Sequence, residues 1–295
     1  MGGKLAIYIP AYNEERSIGS VVLQAKKYGR VIVVDDGSAD RTMHVAISAG
    51  AKVIGHGTNR GYGAALRTIL ESARLSGAEA FVIMDGDYQH DPSEIPLIAK
   101  PVVDGRADVA VGSRFAGKFV GQPSYRKEGV ALLNGLAKME TQKNDVDFQC
   151  GFRSFSKKAA LKMKVSENSY AGGTEMLSSA IRAGLKVVEV PVHVRYYKEE
   201  VGGALSQGAG LFAYLVQAIA LRKPLFFFGL AGAALLLCSA LLGLWVVDTF
   251  YASGVLPVGS ALLTLFTGIG GMVMILIGIN LYTLEAILKK RGIDG

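Results

Sequence analysis

Two close acidic pairs stand out in this chain, Asp35-Asp36 and Asp85-Gly86-Asp87, each after a short apolar run, Val31–Val34 and Ala80–Met84. Two carboxylates flanking one residue at a strand end can share a divalent cation. Mg²⁺ and Mn²⁺ take oxygen ligands, commonly one or two carboxylates together with substrate phosphates. Gln89, His90 and Asp91 follow the second pair directly. Other polar clusters follow other apolar runs: Pro10-Ala11-Tyr12-Asn13-Glu14 after Leu5–Ile9, and Gly112-Ser113-Arg114 after Asp108–Val111. Carboxylates gathered in one empty pocket repel one another, so a cation or a basic ligand is implied. A lone Asp-x-Asp is often a solvated turn. The second pair, and the polar residues that follow, make Asp85 and Asp87 a candidate cation site.

The elements that must position these groups alternate in type. Leu5–Ile9, Val31–Asp35, Lys52–Gly55, Ala80–Met84 and Asp108–Val111 have the composition of strands, with helical spacing over Glu15–Tyr28, Asp40–Ala49 and Tyr62–Ser76. That alternation predicts an α/β domain with a mainly parallel, Rossmann-like sheet, whose ligands bind beyond the carboxyl ends of the strands. Every polar cluster named above follows such a run. Two apparent cofactor motifs fail. Gly61-Tyr62-Gly63-Ala64-Ala65-Leu66 lacks the third glycine of a dinucleotide fingerprint, and Gly112–Lys118 is followed by Phe119 where a P-loop needs Ser or Thr. No Ser or Cys sits in a nucleophile motif.

The 295 residues carry a formal net charge of +7. Beyond Pro224, Asp248, Glu285 and Asp294 balance Lys289, Lys290 and Arg291, so the excess belongs to residues 1–223. Such a charge suits an anionic bilayer surface and anionic substrates. Without basic motifs rich in aromatics, nucleic-acid binding is excluded. Two uncharged apolar runs, about 225–247 and 258–284, are each long enough to cross the roughly 30 Å hydrocarbon core of a bilayer. Arg222 and Lys223 precede the first and Lys289-Lys290-Arg291 follow the second, while Asp248–Pro257 holds no base. The positive-inside bias therefore predicts a multi-pass cell-membrane protein with both termini and the basic domain in the cytoplasm. No cleavable leader is expected, and Ala6 stands where myristoylation needs Ser or Thr. Cys150 and Cys238 are too few and too far apart for a disulfide framework. Leu205, Leu211, Phe212, Leu215, Val216 and Ile219 form an apolar stripe expected to lie in the membrane interface. The expected division is 1–203 catalytic, 204–223 an interfacial amphipathic helix, and 224–295 a transmembrane hairpin. Gly229, Gly232, Gly268, Gly270 and Gly271 suit close helix packing and permit association with a second copy.

Taken together, Pro10-Ala11-Tyr12-Asn13-Glu14-Glu15, Val33-Val34-Asp35-Asp36-Gly37-Ser38, Asn59–Ala65 and Met84-Asp85-Gly86-Asp87-Tyr88-Gln89-His90-Asp91-Pro92 resemble family 2 glycosyltransferases of the GT-A fold. Gly112-Ser113-Arg114 and Asp147-Phe148-Gln149-Cys150-Gly151-Phe152-Arg153 resemble the branch that makes dolichyl- or polyprenyl-phosphate sugars, archaeal enzymes included. The resemblance spans about residues 4–200. It implies a nucleotide-sugar donor, a dolichyl or polyprenyl phosphate acceptor, Mg²⁺ or Mn²⁺, and inversion at the sugar. It implies that Pro10, Tyr12, Glu14 and Asp36 line the nucleoside pocket, Asp36 near the base or ribose. Asp85 and Asp87 would face the diphosphate, with Asp87 and Gln89 as direct metal ligands. Arg114 and Arg126 would meet the acceptor phosphate, Arg153 would support the acceptor-side loop, and Arg195 would close over the donor diphosphate. Cys150 replaces the Ser usual in the family's D-x-x-S-G-F-R. The segment 196–207 lacks the R-x-x-G-x-S-K pattern of mannose synthases, which tilts the expected donor towards a UDP-hexose or UDP-N-acetylhexosamine over GDP-mannose.

Two other readings are weaker. A processive polysaccharide synthase would carry Q-x-x-R-W, and the single Trp, Trp245, falls in an apolar run. A non-catalytic nucleotide-sugar-binding scaffold would show a degraded acidic motif, whereas Asp85, Asp87 and Gln89 are all present. Glu128, Glu175, His90 and His193 are expected to serve structure.

Overall fold

The computed structural model describes residues 5–113, 119–120, 134–135, 146–166, 168, 171–195, 212, 216, 220 and 223–290. The chain forms two compact units, Met1–Leu215 and Val216–Gly295.

In the first unit, β1 (Leu5–Ala11), β2 (Arg30–Asp35), β3 (Lys52–Gly55), β4 (Ala80–Ile83), β5 (Val109–Ser113), β7 (Arg153–Ser156) and β8 (Val187–Pro191) form one seven-stranded sheet. A separate two-stranded sheet pairs β6 (Phe119–Val120) with β9 (Val194–Arg195). The large sheet is ordered β3-β2-β1-β4-β7-β5-β8 and is parallel except for β7, which runs antiparallel to both neighbours. The helices are α1 (Ile18–Ala25), α2 (Thr42–Ser48), α3 (Tyr62–Leu75), α4 (Ile95–Val103), α5 (Lys157–Lys162) and α6 (Ala171–Arg182), with a 3₁₀ turn over Pro92–Glu94. This is the expected GT-A-like, mainly parallel α/β architecture.

The Val- and Ile-rich strands are central because both faces of a parallel sheet are covered, which demands near-continuous apolar runs. Ile7, Ile9, Val33, Val82 and Val111 are fully buried. Tyr8 meets Phe81 edge-on at 5.9 Å, and Phe81 stacks on Phe155 of β7 at 5.1 Å. These packings join β1, β4 and β7 across the middle of the sheet. The register Ala11↔Asp35 ends β1 and β2 together, and Tyr8↔Ile83 ends β4 three residues earlier along β1, all pointing the same way. The loops after residues 11, 35 and 83 therefore share one edge.

Three sequence expectations need correction. Pro10 and Ala11 belong to β1, and Gly112 and Ser113 lie within β5, so neither pair begins the loop. The helix expected from Glu15 starts at Ile18, because the N–H groups of Ser17 and Ile18 both turn back to the Glu14 carbonyl. Strand β7 was not expected at all. Its four residues, Arg-Ser-Phe-Ser, have one aromatic and no β-branched residue, and tertiary pairing overrides that weak propensity.

The second unit contains two long apolar helices, α7 (Pro224–Ser253) and α8 (Val258–Lys290), with mean hydropathy reaching 2.4 and 2.3. Pro224 opens α7 where a missing N–H costs nothing, and Gly254 ends it in the left-handed conformation at φ 71°. The helices pack on each other as a hairpin through small residues. A Cβ on Gly232 would lie 2.7 Å from the Gly271 carbonyl oxygen, one on Gly268 would lie 2.9 Å from Ser239 Oγ, and Ser239 donates to the Thr264 carbonyl at 2.8 Å. Of the glycines expected to pack, Gly229 and Gly270 face open space, while Gly278 joins the seam against Pro224 and Phe228. Leu230, Leu237, Leu244 and Phe266 project outward, each more than 60% exposed. That is the distribution a bilayer solvates. Gly232→Leu is expected to separate the helices and lower the midpoint of thermal unfolding in detergent by several degrees, the scale of an overpacked core. Gly270→Leu should leave the midpoint within a degree or two. The interfacial helix expected over 204–223 lies almost wholly outside the described residues.

Candidate functional site

The carboxyl edge of β1, β2 and β4 gathers three acids. Asp85 and Asp87 follow β4, and Glu14 follows β1. Asp85 keeps about one third of its side chain exposed, and Asp87 and Glu14 are half-buried. Burial first, and then the charge of Asp85, push the Asp87 carboxyl up to about 7. Glu14 adds in the same direction, while the Gln89 N–H and His90 act against them. Two carboxylates this close resist ionising together, which makes the pair a candidate cation site.

The loop that carries them is fixed from several sides. Asp87 Oδ1 accepts the backbone N–H of Gln89 at 2.9 Å. Tyr88, between them, adopts φ 64°, a left-handed conformation uncommon for a non-glycine residue, and its hydroxyl accepts from Gln24 of α1 at 2.8 Å. Asp85 rests against the backbone of Gly151, where a Cβ would overlap its Oδ2. On another side His90 Nε2 lies 3.7 Å from Asp85 Oδ2.

Gly151 is held there by Arg153. The Arg153 guanidinium is 3% exposed and donates to the carbonyls of Cys150 (2.7 Å), Phe148 (2.8 Å) and Gly173 (2.5 Å). Asp147, fully buried, accepts from Asn134 Nδ2 and the Gln149 N–H, and its own N–H reaches Glu189 of β8 at 2.6 Å. The segment 147–153 is thus a rigid wall beside the acidic pair. The resemblance implies that Arg153 supports the acceptor-side loop. In the structure its guanidinium nitrogens serve the loop.

The other acidic pair behaves differently. Asp35 accepts the Ser38 hydroxyl at 2.5 Å and the Ser38 N–H at 3.3 Å. Asp36, 4% exposed, accepts His56 Nδ1 at 2.6 Å, the Arg60 N–H at 3.1 Å and the Gly61 N–H at 2.8 Å. His56 Nε2 in turn meets Thr68 Oγ1 at 2.9 Å. Asp36 therefore ties the 56–61 loop to β2, and Gly61 closes that loop at φ 92°, where a Cβ would overlap the Asn168 carbonyl. The expectation of one crowded acidic pocket holds for Asp85, Asp87 and Glu14, while Asp35 and Asp36 are each engaged by neighbouring hydrogen-bond donors.

Tyr12, 46% exposed, and buried Pro10 stand at the same edge. The 12–15 loop is tied to the 38–42 loop: Asn13 N–H donates to Ser38 Oγ, Glu14 N–H to Thr42 Oγ1, and Glu15 N–H to Asp40 Oδ2. Arg114 and Arg126 lie outside the described residues. Arg195 is described by its backbone, which pairs with Val120. Glu175 holds the Ser166 N–H and hydroxyl, as a loop-pairing acid would. Glu128 lies outside the described residues.

The donor set fits a hard cation held partly by substrate. Among the described residues no group of three or more His, Cys, Asp or Glu side chains could cage a metal ion. Two carboxylates and an amide from Gln89 supply too few ligands for octahedral Mg²⁺, which completes its shell with water and phosphate oxygens. Two residues that the sequence offers as a structural histidine and as one glycine of a motif, His90 and Gly151, stand against Asp85. Their signals were present, an imidazole one residue after Gln89 and a glycine within the Asp147–Arg153 motif.

The sequence model of Glycosyl transferase family 2 matches residues 6–163. The UDP-N-acetylglucosamine–dolichyl-phosphate N-acetylglucosaminyltransferase of Methanococcus voltae is 32% identical over 213 residues, covering 64% of this chain and 85% of the relative. The dolichol-phosphate mannosyltransferase of Pyrococcus furiosus is 29% identical over 237 residues, covering 75% of this chain and 64% of the relative. Among solved structures, glucosyl-3-phosphoglycerate synthase from Mycobacterium tuberculosis, in complex with Mn²⁺, UDP-glucose and phosphoglyceric acid, superposes with a TM-score of 0.60 at 21% identity. It covers 74% of this chain and 80% of that one. The last likeness concerns the fold.

Proposed function

The chain belongs to glycosyl transferase family 2, and from that premise we propose that it transfers a sugar, with inversion, from a nucleotide-sugar to dolichyl or polyprenyl phosphate at the cytoplasmic face of a membrane. The observation that carries this reading is the Asp85–Asp87 pair at the carboxyl edge of a parallel sheet, with Asp87 raised to about 7 by burial and by its partner's charge. The two relatives whose names specify dolichyl-linked phosphate acceptors support the acceptor class, and the two apolar helices support a membrane setting.

The chemistry asks little of a general base. A lipid phosphate is already ionised at neutral pH and can attack the anomeric carbon directly. What remains is alignment of the two substrates and stabilisation of the departing diphosphate. Asp85, Asp87 and Gln89 would hold Mg²⁺ or Mn²⁺, which when bound supplies Lewis-acid stabilisation to that leaving group. Pro10, Tyr12, Glu14 and Asp36 would frame the nucleoside, Asp36 by fixing the 56–61 loop as well as through its place in the pocket. Arg114 and Arg126 would bind the acceptor phosphate and Arg195 the donor diphosphate, guanidinium forks matching phosphate oxygens. Residues 1–203 would be the catalytic unit, 204–223 an interfacial helix and 224–295 the anchor, with both termini cytoplasmic.

A UDP-hexose or UDP-N-acetylhexosamine is the preferred donor, on the M. voltae relative and the divergent 196–207 segment. GDP-mannose is the second candidate, favoured by the P. furiosus relative. The purified full chain, given polyprenyl phosphate and a panel of labelled UDP- and GDP-sugars, is expected to form lipid-linked sugar from a UDP donor. Chelation should remove that activity and Mn²⁺ or Mg²⁺ restore it. Product from GDP-mannose alone would exchange the donor. No product with any donor would leave a binding scaffold as the reading.

A further inference from the structure

His90 is an expensive residue to keep where it is. Its side chain is 4% exposed, its Nδ1 has no hydrogen-bond partner among the described residues, and its ring packs 5.2 Å from Phe152 at 33°. A buried polar atom left unpaired is destabilising, and native structures retain few of them. Phenylalanine or leucine would fill the same space without that cost. The nitrogen with a neighbour is Nε2, and the neighbour is Asp85 Oδ2 at 3.7 Å.

The backbone that carries the ring is held as well. The backbone of His90 forms an antiparallel bridge with Val194, at the start of β9. One residue earlier, His193 sets its backbone N–H 3.0 Å from Glu94 Oε2 and its Nδ1 2.6 Å from Glu94 Oε1. Glu94 ends the 3₁₀ turn four residues after His90. Residues nearly a hundred positions downstream thus clasp the acidic loop on both sides of Asp91-Pro92, while the His90 ring packs against Phe152.

We infer that His90 is a positioning residue for Asp85, and that the Glu94–His193 clasp keeps it in place. At 3.7 Å the pair is longer than a hydrogen bond, and the carboxylate favours the tautomer that turns the Nε2 proton, the positive edge of the ring, towards Oδ2. Gly151 bounds Asp85 on another side, and between them the carboxylate is oriented before any cation arrives. Partners of this kind around a metal-binding carboxylate typically account for 10–100-fold in affinity. The inference rests on the reading of Asp85 and Asp87 as cation ligands.

The test is Mn²⁺ titration of the full chain in detergent micelles, free ion followed by electron paramagnetic resonance, with UDP and separately with GDP present. His90→Phe is expected to keep the wild-type unfolding temperature or exceed it, to weaken Mn²⁺ at least tenfold, and to lower kcat with KM for the lipid acceptor unchanged. His90→Gln, which restores an N–H donor, should recover part of the affinity. Glu94→Ala, remote from the cation, should weaken Mn²⁺ about threefold, and it decides the matter if His90→Phe does not fold. Wild-type affinity in His90→Phe, or in Glu94→Ala where that variant decides, would overturn the inference. Absence of protein-bound Mn²⁺ in the wild type itself would instead overturn the cation reading beneath it.

Discussion

Gly151→Ala is expected to lower sugar transfer by at least a hundredfold while the protein folds normally. The residue lies outside the left-handed region, so its backbone accepts alanine without strain. The new methyl would overlap Asp85 Oδ2 and lie 2.9 Å from both Cγ and Oδ1 of that carboxylate, separations that real Cβ atoms do not show. Arg153 pins the loop through the carbonyls of Phe148 and Cys150 and ties it to α6 through that of Gly173, so the wall resists retreat. What gives way is the short Asp85 side chain, which rotates off its seat. Stability loses little, because a carboxylate already one third exposed can turn to water. Catalysis loses much, since misplacing a reacting group by about 1 Å can cost a hundredfold. Circular dichroism with thermal unfolding, beside kcat and Mn²⁺ affinity, separates the two effects. Wild-type turnover in Gly151→Ala would show that Asp85 has no role in the reaction.

Asp87→Asn should split activity from stability in the opposite sense. In the metal-free fold the Asp87 carboxyl is raised from its ordinary 3.8 to about 7. Between those values the folded chain keeps a proton that the unfolded chain has released. Stability from this group is therefore greatest below about pH 4 and declines as pH rises to about 7, after which the penalty is complete. Asparagine is neutral throughout and escapes it. With chelator present, the variant should be more stable than wild type by about 1–3 kcal/mol at pH 8 and nearly equal to it at pH 4. Transfer should fall by two to three orders of magnitude, as the site loses a charged ligand to the cation. Thermal unfolding of both proteins at the two pH values, with activity measured alongside, checks each half. Equal stability at pH 8 would remove the electrostatic argument for the site.

The parts of the molecule set by continuous patterns were readable in its sequence. Runs such as Val31-Ile32-Val33-Val34 demand burial on both faces and so announce parallel strands, and the polar cluster after each run follows from where those strands end. The two apolar helices were legible for the same reason, since length and freedom from charge are local properties. The parts set by long-range contact were not. Strand β7 owes its place to the stacking of Phe155 on Phe81, which no local propensity encodes. Asp36 reads as one more free acid until the backbone N–H groups of residues 60 and 61 fold onto it. Gly151 and Asp85 are far apart in the chain, and their contact exists only because β7 enters the sheet beside β4. His90 stood next to the acidic motif in plain view. Its role depends on Val194 and His193, which reach it from beyond β8.

The central claim is that this chain moves a sugar, and no phosphorus, onto a lipid phosphate. The most direct measurement supplies the full chain with polyprenyl phosphate and two donor preparations, one labelled in the sugar and one with ³²P in the β-phosphate. Sugar label should enter the lipid fraction in the presence of Mg²⁺ or Mn²⁺, and ³²P should remain in the released nucleotide. Entry of ³²P into the lipid, or no labelled lipid from any donor, would contradict it.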